Sequence, residues 1–234
     1  MTFASQGTEV AFPVDGQAVP AYAVLPEGAA HGVVVVHEVF GRQPEIDRVC
    51  DRFGRAGYAA VAPDLFAHGT QLGCIRRMMI AISTGEGLPV RQVLGARAWL
   101  CEQTGLSAAR VGIIGFCMGG GFALAVGRGW GAVSANYGKT PPRAVLEGIG
   151  PVIACYGERD RLFAPEAKKL ERELDELGVE HEVHMFPGAG HSFLTDGSHP
   201  VASLLSWPLM HVRYEPETAE RAWEHILGFF DAHL

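Results

Sequence analysis

The sequence lacks features that mark several classes of protein. Its five cysteines are odd in number and form no Cys-x-x-Cys pair, so nothing indicates a disulfide framework or a zinc knuckle. Lysine and arginine number 19 against 26 acidic residues, for a net charge of -7, which opposes nonspecific binding to nucleic acid. We therefore expect reduced thiols, a small-molecule substrate and no nucleic-acid partner.

Sorting signals, long apolar runs and repeats are also missing. The start, "MTFASQGTEVAF", has neither the basic nor the apolar region of a secretion signal, and the longest apolar runs are far shorter than a bilayer span. Glycine and proline are spread along the chain between the apolar segments, and there is no low-complexity linker. We expect one domain over residues 1–234, a cytoplasmic location, no membrane partner, no cofactor, and a monomer or weak homodimer.

What is present is an alternation of strand and helix patterns. Asp15-Gly16 predicts a tight turn between two short strands, since this dipeptide supplies the positive φ values that a hairpin needs. Further strands are predicted at "GVVVV", "YAAVAP", "RVGIIG", "GAVSANY", "PVIACYG" and "HEVHMFP", and helices from about residues 46, 90, 118, 165 and 216. This order predicts an α/β fold with a mostly parallel central sheet and helices on both faces.

One cysteine stands apart from the other four. Cys117 lies between the strand "VGIIG" and the helical pattern "GGGFALAV", which is the strand, sharp turn and helix context of a nucleophile elbow. Gly115 and Gly119 flank it where a strained turn leaves least room for a Cβ atom. Buried packing is the usual role of a lone cysteine, and it suits Cys50, Cys101 and Cys155; the pattern does not place Cys74.

A thiol nucleophile needs a base, and the base needs an orienting acid. "PVIACYGERD" delivers Asp160 after one strand and "HMFPGAGHSF" delivers His191 after the next. Both lie at predicted carboxyl ends of strands, in the nucleophile, acid, base order of the elbow enzymes. Alternatives are that Asp160 only caps the following helix, that Glu158 is the acid, or that His191 is a surface loop residue. No carboxylate and histidine spacing matches a familiar metal site, so we predict no metal.

Five motifs together resemble the dienelactone hydrolase family of α/β hydrolases. They are "VVVVHEVFG" (33–41), "GYAAVAPDLFAHG" (57–69), "GFCMGG" (115–120), "YGERD" (156–160) and "GAGHSF" (188–193), and they cover nearly the whole chain in family order. The resemblance implies an α/β-hydrolase fold and hydrolysis of a lactone or ester through a thiol ester on Cys117. His191 would then be the base and Asp160 its orienting acid.

The resemblance implies further roles in the predicted pocket. In the family, the glutamate that corresponds to Glu38 contacts the resting thiol and takes part in its activation. Without the family, Glu38 directly follows the strand "VVVVH", and a surface salt bridge is the alternative. The oxyanion hole would use the backbone N–H groups of Met118 and Val39, of which Met118 also follows from the elbow itself.

Substrate contacts are less well defined. Family members bind a substrate carboxylate through two arginines, and the candidates are Arg76 or Arg77 and, in the last helix, Arg221; solvated helix surface is the alternative for each. His225 stands one turn after Arg221, at what the resemblance suggests is the family's arginine position. Trp207 and Tyr214 lie in the apolar stretch over residues 195–217 and could line the pocket, the core or a dimer contact.

Two functional classes remain open at this stage. The first is a dienelactone hydrolase-like hydrolase of a lactone or carboxylic ester, including a general small-ester carboxylesterase with another substrate. The second is a noncatalytic or redox-sensing relative in which Cys117 is an oxidisable thiol. The presence of Asp160 and His191 favours the first class, because a sensor needs no oriented base.

Overall fold

A computed structural model describes residues 7–197 and 208–234 of the chain. The eight strands are β1 (Thr8–Val14), β2 (Gln17–Val24), β3 (Gly32–Val36), β4 (Ala59–Pro63), β5 (Val111–Phe116), β6 (Val133–Asn136), β7 (Val152–Gly157) and β8 (His181–Phe186). They form one sheet in the order β1-β2-β4-β3-β5-β6-β7-β8. The pairs β1–β2 and β2–β4 are antiparallel and all the others are parallel, which confirms the predicted mostly parallel sheet.

Helices connect the strands along the chain. They are α1 (Pro44–Arg55), α2 (Gln71–Thr84), α3 (Leu88–Thr104), α4 (Met118–Val126), the short α5 (Arg143–Leu146), α6 (Ala164–Leu177) and α7 (Pro216–His233). The pattern did not predict α2, because apolar side chains such as Leu72 and Ile80 face solvent while Met78 is buried. No helix in the described ranges is long and apolar enough to cross a membrane.

The centre of the sheet is covered on both faces. Every residue of β3, β4, β5, β6 and β7 is buried, although successive side chains of a strand point to opposite faces. Helices must therefore pack against both faces, which explains why these strands read as continuous apolar runs. By contrast, the outer strand β1 alternates between buried and exposed residues near its end.

The β1–β2 hairpin closes as the sequence predicts. Asp15 and Gly16 have φ values of 51° and 78°, and Val14 pairs directly with Gln17. Positive φ at both central residues is the type I′ geometry that matches the twist of a hairpin. The antiparallel edge is thereby joined to the parallel part of the sheet through β2.

The parallel strands bring distant parts of the chain to one edge of the sheet. Since β3, β5, β6, β7 and β8 run in the same direction, their carboxyl ends meet at that edge, where chemistry gathers in open α/β sheets. Glu38 follows β3, Cys117 follows β5, Asp160 follows β7 and His191 follows β8. The fold therefore collects the four candidate catalytic residues at one edge.

Gly115 is required by close backbone packing at this edge. A Cβ atom at Gly115 would lie 1.9 Å from the carbonyl oxygen of Gly119, in the first turn of α4. We expect Gly115→Ala to lower the free energy of unfolding by about 1–3 kcal/mol or more, because the backbone of the turn must move to admit the methyl group. Urea denaturation measures the change.

Gly228→Ala is the matched control for this prediction. Gly228 lies within α7, and a Cβ atom there would meet nothing within 4 Å. Alanine should stabilise the helix by about 0.5–1 kcal/mol, since glycine loses more backbone entropy on folding. Equal effects of the two substitutions would contradict the packing argument.

Candidate active site

Cys117 occupies a strained turn between β5 and α4. Its φ and ψ are 55° and -117°, a conformation that costs a residue with a side chain about 1–3 kcal/mol and persists only where surrounding contacts impose it. Its N–H donates to the carbonyl of Asn136 at 3.0 Å, and its carbonyl accepts from the N–H groups of Gly120 and Gly121 at 3.0 and 3.3 Å. The half-buried thiol is held at the amino end of α4 by these bonds.

Asn136, the last residue of β6, holds this turn from two sides. Besides accepting from Cys117, it donates from its side-chain Nδ2 to the carbonyl of Gly115 at 3.1 Å and to Ser134 Oγ at 3.2 Å. Asn136 is fully buried, so these bonds replace those its Nδ2 would make with water, whereas its Oδ1 has no hydrogen-bond partner among the described residues. The sequence analysis did not identify this residue, whose only signal is its place at a strand's carboxyl end.

Asp160 and His191 form a short buried hydrogen bond. His191 Nδ1 and Asp160 Oδ2 are 2.6 Å apart, and both side chains are almost fully inaccessible. The other carboxylate oxygen, Oδ1, accepts from the backbone N–H groups of Leu162 and Phe163, each at 3.2 Å. Asp160 thus both caps the loop before α6 and orients His191, so the two alternatives from the sequence are compatible.

Glu158, the alternative acid, is hydrogen-bonded outside this pair. It is exposed, and its Oε2 accepts from the N–H of Gly188 at 3.2 Å. The described residues show no hydrogen bond between Glu158 and His191. The surface-loop alternative for His191 is wrong, because the ring is buried between Tyr137 and Phe163, with ring centroids 4.8 and 4.9 Å away.

The electrostatics of His191 couple it to the thiol. Its buried Nε2 makes no hydrogen bond of standard geometry within the described parts of the chain. Burial by itself disfavours the imidazolium, but the electrostatic interaction with Cys117 and the bond to Asp160 outweigh it and raise the pKa of His191 to about 10. The arrangement therefore favours the protonated form of His191.

Glu38 is buried and hydrogen-bonded to the loop that carries His191. Its Oε1 accepts from Thr195 Oγ1 at 3.0 Å and from Ser192 Oγ at 3.4 Å. Burial raises the pKa of Glu38, while His191 and the two hydroxyls act in the opposite direction. The surface salt bridge considered from the sequence is wrong for this residue. Among the described contacts, no hydrogen bond joins Glu38 to Cys117.

Tyr137 extends this network and was not identified from the sequence. Its hydroxyl lies 3.3 Å from Thr195 Oγ1. Because the single Thr195 proton goes to Glu38, Tyr137 must be the donor in this pair. Tyr137 has a φ of 42° and directly follows β6, which places its ring against His191. Tyr137 thus contacts the candidate base with its ring and supports Glu38 through Thr195.

His37 fixes the turn that carries Glu38. The N–H of Leu65 donates to His37 Nε2 at 3.2 Å, so the ring proton is on Nδ1, which donates to the carbonyl of Glu38 at 2.8 Å. Burial lowers the pKa of His37, which keeps the ring neutral. The backbone after β3 is thereby locked next to the elbow.

The two predicted oxyanion-hole donors belong to neighbouring turns. Met118 is the first residue of α4, and Val39 follows Glu38 in the turn that His37 fixes. A Cβ atom at Gly119 would lie 2.6 Å from the carbonyl oxygens of Val36 and His37, so the two backbones are in direct contact. The oxyanion role of Met118 and Val39 remains a prediction.

The segment leading into α7 is bound to the His191 loop. The N–H of His191 donates to the carbonyl of Met210 at 2.8 Å, and the N–H of Arg213 donates back to the carbonyl of His191 at 3.2 Å. Tyr214 in this segment is half-buried and packs against the core, whereas Trp207 lies outside the described residues. This part of the 195–217 stretch therefore holds the candidate base in place.

The candidate arginines lie on helices. The Arg77 guanidinium donates to the carbonyl of His68 at 2.7 Å and contacts the buried Cys74 sulfur at 3.0 Å. Arg76 and Arg221 are exposed on α2 and α7. Within residues 7–197 and 208–234, no hydrogen bond or ion pair joins any of the three arginines to the site, and their role in substrate binding stays a prediction.

Three of the other thiols have surroundings that keep them protonated. Burial raises the pKa of Cys50 in α1 and of Cys155 in β7, and it also raises that of the half-buried Cys101 in α3. Negative side chains near Cys50 and Cys155 act in the same direction. The packing role predicted for Cys50 and Cys155 is confirmed by their full burial.

The raised pKa of Glu38 predicts how stability depends on pH. The folded state holds the proton of Glu38 more tightly than the unfolded state does. Ionisation of this carboxyl therefore lowers the free energy of unfolding at pH values above the pKa of the unfolded state, about 4.3. Glu38→Gln removes this cost, and the glutamine side-chain oxygen can still accept hydrogen bonds from the hydroxyls of Ser192 and Thr195. We expect the variant to be more stable than the wild type at pH 7, with the advantage disappearing below about pH 4.

Urea denaturation at several pH values measures this difference. Glu158→Gln, at an exposed position of similar chemistry, should show no such pH-dependent gain. An advantage of Glu38→Gln that grows as the pH falls would show that the carboxylate is stabilised in the folded protein.

Comparison with known proteins identifies the family of this chain. The profile of the dienelactone hydrolase family matches residues 19–234. A protein of Yersinia pestis named "Putative carboxymethylenebutenolidase" is 27% identical over 247 residues, covering 96% of this chain and 88% of the relative. A protein of the same name from Salmonella typhimurium is 29% identical over 224 residues, covering 85% and 83%.

Solved structures show the same fold. The structure named "m3DLH" has a TM-score of 0.78 at 25% identity, covering 97% of this chain and 98% of its own. Dienelactone hydrolase from Anabaena variabilis has a TM-score of 0.65 at 23% identity, covering 87% and 97%. With the family profile spanning nearly the whole chain, the protein belongs to the dienelactone hydrolase family and is a hydrolase of the α/β-hydrolase fold.

Proposed function

We propose that this protein hydrolyses a carboxylic ester or lactone of the carboxymethylenebutenolidase type through a thiol ester on Cys117. The observation that carries the proposal is the buried 2.6 Å bond between Asp160 Oδ2 and His191 Nδ1. It commits Nδ1 to the acid, so that the opposite nitrogen, Nε2, is available to exchange a proton with the sulfur. Support also comes from the names of the relatives, which specify this class of reaction.

The first half of the reaction forms the acyl-enzyme. His191 Nε2 takes the proton of the Cys117 thiol, the sulfur attacks the carbonyl carbon, and the carbonyl oxygen takes the electron pair while facing the N–H groups of Met118 and Val39. The tetrahedral species collapses as the bond to the alcohol oxygen breaks. The His191 imidazolium gives its Nε2 proton to that oxygen, which leaves as an alcohol or, from a lactone, stays tethered as an enol or hydroxyl group.

The second half regenerates the thiol. Neutral His191 takes a proton from water, and the hydroxide oxygen attacks the thiol-ester carbonyl. The carbon–sulfur bond breaks, the carboxylic acid is released, and the sulfur takes the Nε2 proton from the imidazolium to become the thiol again. Asp160 holds the ring in one orientation and stabilises its charge throughout, without itself taking a proton.

Glu38 has a supporting part in this scheme. Its carboxyl is close enough to His191 to affect the electrostatics of the pair, and it is held by Thr195 and Ser192 on the loop that follows β8. We propose that its charge state is sensitive to substrate entering the pocket, since displacement of water strengthens every local electrostatic interaction. Tyr137 is then a positioning residue, because it acts on Glu38 through Thr195.

The nucleophile is tested by replacing each cysteine with alanine. Cys117→Ala should lower turnover of p-nitrophenyl acetate and of cis- and trans-dienelactone by at least about 10³-fold, in line with the losses that follow removal of a nucleophile from a catalytic triad. The other four substitutions should change stability and leave turnover per folded enzyme intact. Mass spectrometry of quenched wild-type reactions should detect the acyl group on Cys117.

Two results would contradict the thiol-ester mechanism. One is full turnover by folded Cys117→Ala, and the other is acyl transfer to a different residue. If all three substrates remain untouched while peroxide oxidises Cys117 reversibly, the redox-sensing alternative would gain support instead.

The orienting acid is tested by a matched pair of substitutions. Asp160→Asn should lower the rate of acylation by about 10²-fold or more, because an amide favours the wrong ring tautomer of His191. His191→Ala should have an effect of similar size. Glu158→Gln, at the exposed neighbouring carboxylate, should keep the wild-type rate.

Single-turnover acylation kinetics measure these rates directly. The assignment of Asp160 would be wrong if Glu158→Gln were as damaging while both variants kept the wild-type circular dichroism spectrum and melting temperature.

A further inference from the structure

Three potential metal ligands meet between the edge strand β8 and the last helix. Glu182 and His184 are two residues apart in β8, so their side chains lie on the same face of the sheet. His225 reaches this place from α7. The carboxylate oxygen and the two imidazole nitrogens all lie within 4.8 Å of one another. We call this group the β8–α7 cluster.

The side chains of the cluster are already in contact. Glu182 Oε2 and His184 Nε2 are 2.8 Å apart. The rings of His184 and His225 are stacked, with centroids 4.2 Å apart and planes inclined by 27°. Glu182 and His225 are exposed and His184 is partly buried, which leaves the group open to solvent. An ion can therefore reach it without any change in the core.

The spacing suits a small transition-metal ion. Bonds of about 2.0–2.2 Å in a tetrahedral arrangement put ligand atoms about 3.4 Å apart. The 2.8 Å distance between Glu182 Oε2 and His184 Nε2 must therefore increase slightly, and the largest distance between ligand atoms of the cluster, up to 4.8 Å, must decrease. Both changes require rotation of the side chains, and the two of them that are exposed, Glu182 and His225, have solvent around them in which to rotate.

We propose that the β8–α7 cluster binds one divalent transition-metal ion of the zinc class through Glu182, His184 and His225. Two imidazoles and one carboxylate are ligands that Zn²⁺, Ni²⁺ and Cu²⁺ accept, whereas Mg²⁺ and Ca²⁺ require mostly oxygen. Three protein ligands leave one tetrahedral position for water. The bound ion joins the edge of the sheet to the last helix and so stabilises their contact.

The sequence predicted no metal, because the spacing of these three residues gives no signal for one. Glu182-x-His184 is not a familiar metal motif, and the third ligand comes from a different element far along the chain. Only the packing of α7 against the edge of the sheet brings His225 to this pair. The proposal is independent of the proposed hydrolase mechanism, since none of the three residues belongs to the candidate active site.

Isothermal titration of the untagged, metal-stripped protein with ZnCl₂ tests the proposal. We expect one ion per chain at the cluster, with affinity at least about tenfold weaker in His225→Ala and in Glu182→Gln, because each loses a ligand. Thermal melting should show a Zn²⁺-dependent rise in Tm for the wild type that is lost in both variants. MgCl₂ should give neither binding nor stabilisation.

His233→Ala is the matched control. His233 lies on the same helix and pairs with one carboxylate, with its Nε2 3.2 Å from Glu180 Oε1, but no third ligand joins it among the described residues. Its replacement should leave Zn²⁺ affinity unchanged. Because Cys117 and His191 could also take Zn²⁺, each titration is repeated with Cys117→Ala, which removes that thiol.

The proposal would be overturned if the Zn²⁺ isotherm and the shift in Tm of the Cys117→Ala protein were unaffected by adding His225→Ala. It would also be overturned if His233→Ala weakened binding as much as His225→Ala. The circular dichroism spectrum without metal checks that each variant is folded.

Discussion

The site depends on backbone packing that leaves no room for side chains after β5. A Cβ atom at Gly115 would overlap the carbonyl of Gly119, and one at Gly120 would lie 2.7 Å from the carbonyl of Asn136. Only glycine permits approaches this close, and they force Cys117 into its strained conformation. A further close contact, of Gly119 with the carbonyl oxygens of Val36 and His37, brings the end of β3, with Glu38, against the first turn of α4.

The buried charges are arranged around this turn in two connected groups. Both carboxylate oxygens of Asp160 accept hydrogen bonds, one from the backbone of the loop before α6 and the other from His191. These bonds allow the carboxylate to be fully buried. Glu38 depends instead on two hydroxyls and remains costly to ionise. Family membership establishes a hydrolase, and this geometry supports the proposal that the Cys117 thiol is its nucleophile.

The last helix and the segment that leads into it have different surroundings. The chain leading into α7 is hydrogen-bonded to the His191 loop, while His225 faces β8 and the β8–α7 cluster. A link between β8 and α7 would therefore restrain two elements next to the loop that carries the candidate base. Such a restraint acts on stability, and nothing in the cluster takes part in the proposed transfer of protons.

The sequence by itself determined the class of fold, the strands of the sheet and the order of Cys117, Asp160 and His191. Apolar runs and turn residues are local signals, and parallel strands must bring their carboxyl ends to one edge. The helix α2 was not predicted, because its apolar residues lie on exposed as well as buried faces.

Only the tertiary structure decided which side chains meet. Asn136, Tyr137 and His37 act through hydrogen bonds to residues distant in sequence, and no local pattern encodes such partners. The same holds for the burial of Glu38 and for the meeting of His184 with His225. These features depend on how loops and helices pack across the sheet, and packing is a property of the whole chain rather than of any segment.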